Sequence, residues 1–190
     1  MQSVTDWLAL WRTLVEAQAQ RRRDSRAAQD QDADAWEAKA RQFDELVARR
    51  WAQPDSSRDF ILAHLQASPC ATVLDIGCGT GAWTIYLAPY ARQVTGVDPS
   101  PAMLKLLREK LAAGDVTNVA VVQGAWPEVK VAPHDIALCS HAMYMDPDFA
   151  TFVRRMTAVT RRRCYMLLRA PTPDGVMAEA ARHLWGQPYD

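Results

Sequence analysis

The chain has 190 residues, 49% hydrophobic and 23% charged, enough for one globular domain with a proper core and too few for two. Its 22 basic and 22 acidic residues cancel, which argues against a protein that depends on a broad phosphate-binding surface. No apolar run approaches the ~20 residues of a membrane span, and the N-terminus does not read as a signal peptide, so a cytoplasmic protein is expected.

The first third reads as helical. Ser3 with Asp6 resembles a capping box, and Trp7, Trp11, Leu14, Val15 and Gln18 follow it as a helical stripe. Residues 20–34, including Arg21-Arg22-Arg23, are polar and charge-mixed. They form either the exposed end of that helix or a linker. A second stripe is Trp36, Ala40, Phe43, Val47 and Trp51, ended by Pro54. A third helix runs from about Ser57 to Gln66 and is expected to bury Phe60, Ile61 and Leu65. The tryptophan-striped helices either cover a ligand cleft or form a homodimer contact.

From residue 70 the pattern changes to short apolar runs at 71–76, 93–97, 118–122, 135–140 and 163–168. Helices are expected over 80–91, over 100–113 with Gly114 as a left-handed cap, and over 148–160 on the stripe Phe149, Phe152, Val153, Met156 and Val159. Continuous apolar strands alternating with helices predict an α/β fold, a three-layer, doubly wound, mostly parallel sheet. Such a fold binds ligands beyond the carboxyl ends of its strands. The division expected is a helical cover over 1–66 and a core over 67–190, compact overall.

The chemistry concentrates where the first strand turns into a helix, at Asp75-Ile76-Gly77-Cys78-Gly79-Thr80-Gly81. Glycines let a ligand lie against the backbone, and the helix that follows offers free N–H groups. Gly77, Gly79 and Ala82 also satisfy the dinucleotide pattern G-x-G-x-x-G/A, with Asp98 in the position of its ribose-binding acid. Asp75 decides between ligands. A carboxylate two residues before the first glycine opposes a pyrophosphate and favours a cation, and S-adenosylmethionine carries an ammonium and a sulfonium but no phosphate. Such a pairing is worth about 1–3 kcal/mol.

Val73-Leu74-Asp75-Ile76-Gly77-Cys78-Gly79-Thr80-Gly81 resembles the first motif of the class I S-adenosylmethionine-dependent methyltransferases, in particular their type 11 small-molecule group. Gly96-Val97-Asp98-Pro99-Ser100 with Met103-Leu104 is similar to the second motif, and Asp135 to Ala142 to the fourth. The resemblance covers about residues 70–170. It implies that Asp75 and the backbone of Gly77, Cys78, Gly79, Thr80 and Gly81 hold the methionine portion. Asp98, beside Pro99, would accept from both ribose hydroxyls, and Met103 would pack on the adenine. Ala125 stands where the family often has an aspartate for the adenine amino group, which leaves backbone groups and the Trp126 ring to hold the base. An aromatic residue at Phe43, on a helical cover, also fits the group.

Past the fourth strand, Ser140 is expected among the cofactor-binding residues and His141 at the edge where acceptor and methyl should meet. His141 is the base that deprotonates the acceptor, a hydrogen-bonded structural histidine or a wall of the methionine pocket; Tyr144 is a candidate acceptor contact. Arg169 is read as a salt-bridge partner. Of the four cysteines, Cys70, Cys139 and Cys164 border or lie in apolar runs, where free cysteine behaves as a buried hydrophobe. No metal-ligand spacing occurs.

The expected reaction is in-line methyl transfer to an O, N, S or C nucleophile of a small molecule, releasing S-adenosylhomocysteine. A nucleic-acid acceptor is disfavoured, because Ser140-His141-Ala142-Met143 replaces the Asn/Asp-Pro-Pro-aromatic motif of many amino-directed DNA methyltransferases. The family sheet has seven strands, yet only 21 residues follow Arg169 and those from Asp174 to Trp185 read as a helix. The terminal β-hairpin is therefore expected to be missing, leaving strand order 3-2-1-4-5, either through C-terminal truncation or with the sheet edge covered otherwise. The competing readings are an inactive methyltransferase-like binding module and an NAD(P)-dependent oxidoreductase.

Overall fold

The computed structural model describes residues 6–26, 36 and 39–168. Three helices come first, α1 (Trp7–Arg26), α2 (Ala40–Trp51) and α3 (Ser56–Gln66). The Asp6 carboxylate accepts from the backbone N–H groups of Leu8 (3.1 Å) and Ala9 (3.0 Å), so Asp6 itself caps α1. That corrects the expected Ser3–Asp6 box, whose Ser3 lies outside the described residues. Residues 20–26 belong to α1, the helical alternative for the first part of the polar stretch. In α3, Ile61 and Leu65 are buried, but Phe60 is 57% exposed rather than buried. One residue is 100° of helix, so Phe60 lies at the margin of the packed face, edge-on to His64 (4.4 Å between ring centroids).

Five parallel strands follow: β1 (Thr72–Ile76), β2 (Gln93–Asp98), β3 (Val119–Gln123), β4 (His134–Ser140) and β5 (Thr160–Leu167). Their order is β3-β2-β1-β4-β5, as expected for a doubly wound sheet. The crossovers are α4 (Ala82–Leu87) with a 3-10 turn at Ala88–Tyr90, α5 (Pro101–Ala113), and α6 (Phe149–Ala158) after a 3-10 turn at Met143–Met145. Pro89 lacks the N–H that would continue α4, so this helix is shorter than the 80–91 expected.

Gly114 has φ −95°, not the left-handed cap expected of it; Asp115 takes that conformation at φ +50°. The reversal is displaced by one residue, and aspartate tolerates the left-handed region better than most side chains. β5 begins three residues earlier than its apolar run, because an edge strand accommodates cations. Arg161 and Arg162 lie there, each 3.9 Å from the Asp135 carboxylate. Cys139 and Cys78 are buried, whereas Cys70 and Cys164 are exposed, contrary to expectation. Cys164 sits in the exposed stretch of the edge strand, and Cys70 in a left-handed turn at φ +63°.

β1 is buried along its whole length and divides the core. Val73 faces Ile61, Leu65, Trp83 and Leu87 of α3 and α4, while Leu74 and Ile76 face Phe152 and Met156 of α6. Each fully buried aliphatic side chain contributes about 1.5–3 kcal/mol. The remaining helices flank this sandwich. α1 lies against α6, where the Trp11 ring meets Phe149 at 5.0 Å and its Nε1 donates to the Asp146 carbonyl at 2.8 Å. α2 lies against α5. Among the described residues no helix is long and apolar enough to cross a membrane. The expected terminal helix, Arg169 and the strand edge beyond it lie outside the described residues.

Candidate active site

β1 and β2 end side by side, with Asp75 opposite Gly96 and Ile76 opposite Val97. The chain leaves β1 through three left-handed glycines, Gly77 (φ +72°), Gly79 (φ +54°) and Gly81 (φ +88°). The turn is pinned to the end of β2. The N–H groups of Gly77 and Cys78 donate to the Val97 carbonyl at 2.8 and 2.9 Å, and Gly79 N–H donates to the Asp98 carboxylate at 2.9 Å. The other Asp98 oxygen accepts from Ser100 N–H at 2.9 Å, so this acid is held between the two loops. A side chain at Gly77 would collide with Ala142 after β4, whereas one at Gly79 would meet only the Phe43 ring edge, at 3.8 Å. The first glycine thus serves close packing of loops, and the second leaves room above the turn.

Asp75 is 1% exposed. The Thr84 hydroxyl of α4 donates to it at 2.6 Å. Burial, reinforced by the negative charge of Asp98, pushes its carboxyl up to about 6 despite the Thr84 hydrogen bond. A cation beside it would hold it ionised. Burial and the same two acids push the Cys78 thiol up as well, so Cys78 is an inert wall and no nucleophile.

Beyond β2, Ser100 caps α5 by accepting from Met103 N–H at 3.2 Å. Met103 is buried with Ala40 and Leu106 under Trp36 and Phe43, while Pro99 is exposed. After β3, Gly124 N–H donates to the Asp98 carbonyl at 3.1 Å, and Ala125 is exposed. The Trp126 indole is turned to α6, donating to the Phe152 carbonyl at 3.2 Å and packing near the Phe152 ring at 6.2 Å.

After Ser140, the last residue of β4, His141 takes φ +58°, which costs a non-glycine residue of order 1–3 kcal/mol and is characteristic of functional positions. Its N–H donates to the Leu167 carbonyl at 3.1 Å, fixing the turn to β5. The ring lies parallel to Tyr144, with Nδ1 3.2 Å from the phenol oxygen. Asp55, which caps α3, adds negative charge toward His141. Tyr144 is also approached by Trp11 of α1, at 6.3 Å.

The candidate residues thus fall into one group around the glycine turn (Asp75, the glycines, Asp98, Met103) and another after β4 (Ser140, His141, Tyr144), and the two meet where Gly77 packs on Ala142. Trp126 is the outlier. Sequence reasoning did not single out Thr84, Ala142 or Asp55. Only Thr84 had a legible signal, one α4 turn past the glycines.

A family model described as a methyltransferase domain matches residues 73–163. Trans-aconitate 2-methyltransferase of Azoarcus sp. (strain BH72) is 35% identical over 126 residues, 65% of this chain and 43% of that protein. Demethylmenaquinone methyltransferase of Listeria monocytogenes serotype 4a is 33% identical over 94 residues, 47% of this chain and 40% of that one. The chain spans about two fifths of the length of these curated relatives. Among solved structures, a putative S-adenosyl-L-methionine-dependent methyltransferase from Methanococcus maripaludis shares the fold, with TM-score 0.63 at 19% identity over 82% of this chain and 76% of that one.

Proposed function

We propose that the chain is a class I S-adenosylmethionine-dependent methyltransferase that methylates a small molecule at an O, N, S or C nucleophile, a reading supported by the methyltransferase-domain match and the trans-aconitate methyltransferase relative. The observation that carries this reading is the pair of buried acids, Asp75 and Asp98, that meet one glycine turn from adjacent strand ends. The Asp75 carboxylate there opposes a pyrophosphate and suits a cationic amino acid, and Asp98 suits the ribose joined to it. The names of the relatives, which refer to trans-aconitate and demethylmenaquinone, support a small-molecule acceptor.

When bound, S-adenosylmethionine supplies a methyl group already activated by the positive sulfur. The residues therefore have to bind, orient and keep out water. Asp75, itself held by Thr84, would hold the ammonium end. The backbone of Gly77–Gly81, with Ser140, would hold the methionine portion. Asp98 would accept hydrogen bonds from the ribose hydroxyls, and Met103 and Ala125 would flank the base. His141 takes the proton of the acceptor, with Tyr144 as its hydrogen-bond partner and acceptor contact.

The domain reading is a helical cover within 1–66 over a core within 67–190, supported by α1 against α6 and α2 against α5, and α1, with Trp7 73% exposed, is a candidate homodimer contact. A cytoplasmic setting belongs to this reading, and the balance of 22 basic against 22 acidic residues disfavours a nucleic-acid acceptor. Light scattering tests the dimer.

Calorimetric titration of the full chain with S-adenosylhomocysteine, NAD and NADP tests the cofactor. Saturation by S-adenosylhomocysteine alone is expected, and saturation by NAD alone would sink the reading. Incubation with methyl-labelled cofactor and a metabolite extract should label a small molecule. Tight binding without transfer would indicate a binding module.

A further inference from the structure

α1 carries more apolar surface than its own chain covers. Trp11 and Val15 form its packed side, against α6 and the 3-10 turn at Met143–Met145. About 100° around the helix runs a second stripe, Trp7, Leu10, Leu14 and Ala17, at intervals of three, four and three residues. Trp7 is 73%, Leu10 40% and Leu14 60% exposed, and Ala17 is half-buried. Such spacing is the seam by which one helix packs on another. This stripe also reads the same in both directions. Trp7 and Ala17 lie equally far from Arg12, and so do Leu10 and Leu14. Two copies laid antiparallel about that point therefore set Trp7 against Ala17 and Leu10 against Leu14, large facing small at the ends and leucine facing leucine between them. The flanking Thr13, Gln18 and Gln20 carry no charge to oppose this. Antiparallel packing also puts the Asp6 end of each helix beside the Arg21 end of the other, whereas parallel packing would set Arg21 beside Arg21.

We propose that α1 is the seam of a homodimer in which two copies pack antiparallel through Trp7, Leu10, Leu14 and Ala17. The inference rests on the homodimer reading of α1 above and adds the face, the orientation and the residue pairs. Trp11 stays with its own chain, its ring 5.0 Å from Phe149 and 6.3 Å from Tyr144. The stripe rises only about 15 Å along the helix. Its interface therefore falls below the roughly 1,200 Å² of stable complexes, and the dimer is weak, with a Kd on the order of 10 µM.

Sedimentation equilibrium of the full chain reads the dimer, with thermal melting as the control for folding. Leu10→Lys and Leu14→Glu are each expected to weaken association about tenfold with little change in melting temperature, because both side chains are exposed in the single chain. In the double variant Leu10→Lys/Leu14→Glu, antiparallel pairing sets opposite charges against each other at positions 10 and 14. It should dimerise at least about fivefold more tightly than either single variant. Parallel pairing would set like charges together and weaken the dimer further. That result, or single variants that dimerise as the wild type does, would overturn the seam while leaving a homodimer through another surface. A wild-type chain still monomeric at about 200 µM would remove the homodimer reading and the seam together. Binding of a monomeric wild type to phosphatidylcholine vesicles, lost in Leu14→Glu, would assign the stripe to a lipid surface and equally overturn the proposal.

Discussion

Thr84 of α4 reaches back 2.6 Å to the carboxylate of Asp75 at the end of β1, a buried hydrogen bond between the first strand and the helix that follows its glycine turn. Gly96 of β2 makes room for it, because a Cβ there would come within 3.2 Å of the Thr84 hydroxyl. Replacing Thr84 by valine keeps the shape and removes the donor. The expected loss is about 1–3 kcal/mol of stability, read as a lower denaturation midpoint, with weaker S-adenosylhomocysteine binding at pH 7. An unchanged midpoint would mean that Asp75 has found another donor.

The raised carboxyl gives a pH signature. Asp75 moves from an ordinary 3.8 to about 6 on folding, so the native state keeps this proton after the unfolded chain has lost it. Its contribution is intact below pH 3.8 and is lost as pH rises through 6, by roughly 3 kcal/mol in all. A ligand ammonium needs the ionised form and reverses the trend. Affinity for S-adenosylhomocysteine should therefore fall as pH drops through 6, approaching about tenfold per unit. Asp75→Asn should flatten both profiles, and titration calorimetry between pH 5 and 7.5 with parallel urea melts would check this.

Two glycines of the same turn should respond differently to alanine. Gly77→Ala puts a methyl into Ala142 at φ +72°. Strain of about 1–2 kcal/mol plus overpacking of about 1–3 kcal/mol should lower the melting temperature sharply. Gly79→Ala meets nothing closer than Phe43 at 3.8 Å. It should melt closer to wild type, by the overpacking difference, yet lose cofactor affinity because its methyl points into the ligand space. Equal losses of stability would contradict this division of labour.

His141 carries backbone strain at φ +58° that glycine would not. His141→Gly is expected to stay within about 1 kcal/mol of wild-type stability and to bind S-adenosylhomocysteine normally. Once an acceptor is in hand, transfer should slow by roughly 10²–10⁴. Tyr144→Phe, which removes the oxygen 3.2 Å from Nδ1, should fall between the two. A His141→Gly enzyme with unimpaired turnover would remove the base from the mechanism.

The local pattern made much of the molecule legible. Buried parallel strands show as unbroken apolar runs, so β1, β2 and β4 lie within a residue or so of their expected ends, and so does the half-buried β3. Positive-φ turns demand glycine, and Gly77, Gly79 and Gly81 fill that demand. The charge of Asp75 is a property of one residue type at one place in such a turn. What was misread depends on neighbours in space. Phe60 is exposed because it lies at the margin of the packed face of α3, and β5 admits Arg161 to Arg163 because it ends the sheet formed by the described residues.

From residue identity and spacing alone came the alternating α/β order, the glycine turn and the sign of the charge beside it, since each is fixed by covalent geometry within a few bonds. Tertiary packing alone decided that Thr84 meets Asp75, that His141 meets Tyr144, and that Asp44 meets Lys110. Those contacts join segments that share no period, and only the stacking of helices on a common sheet sets their distances.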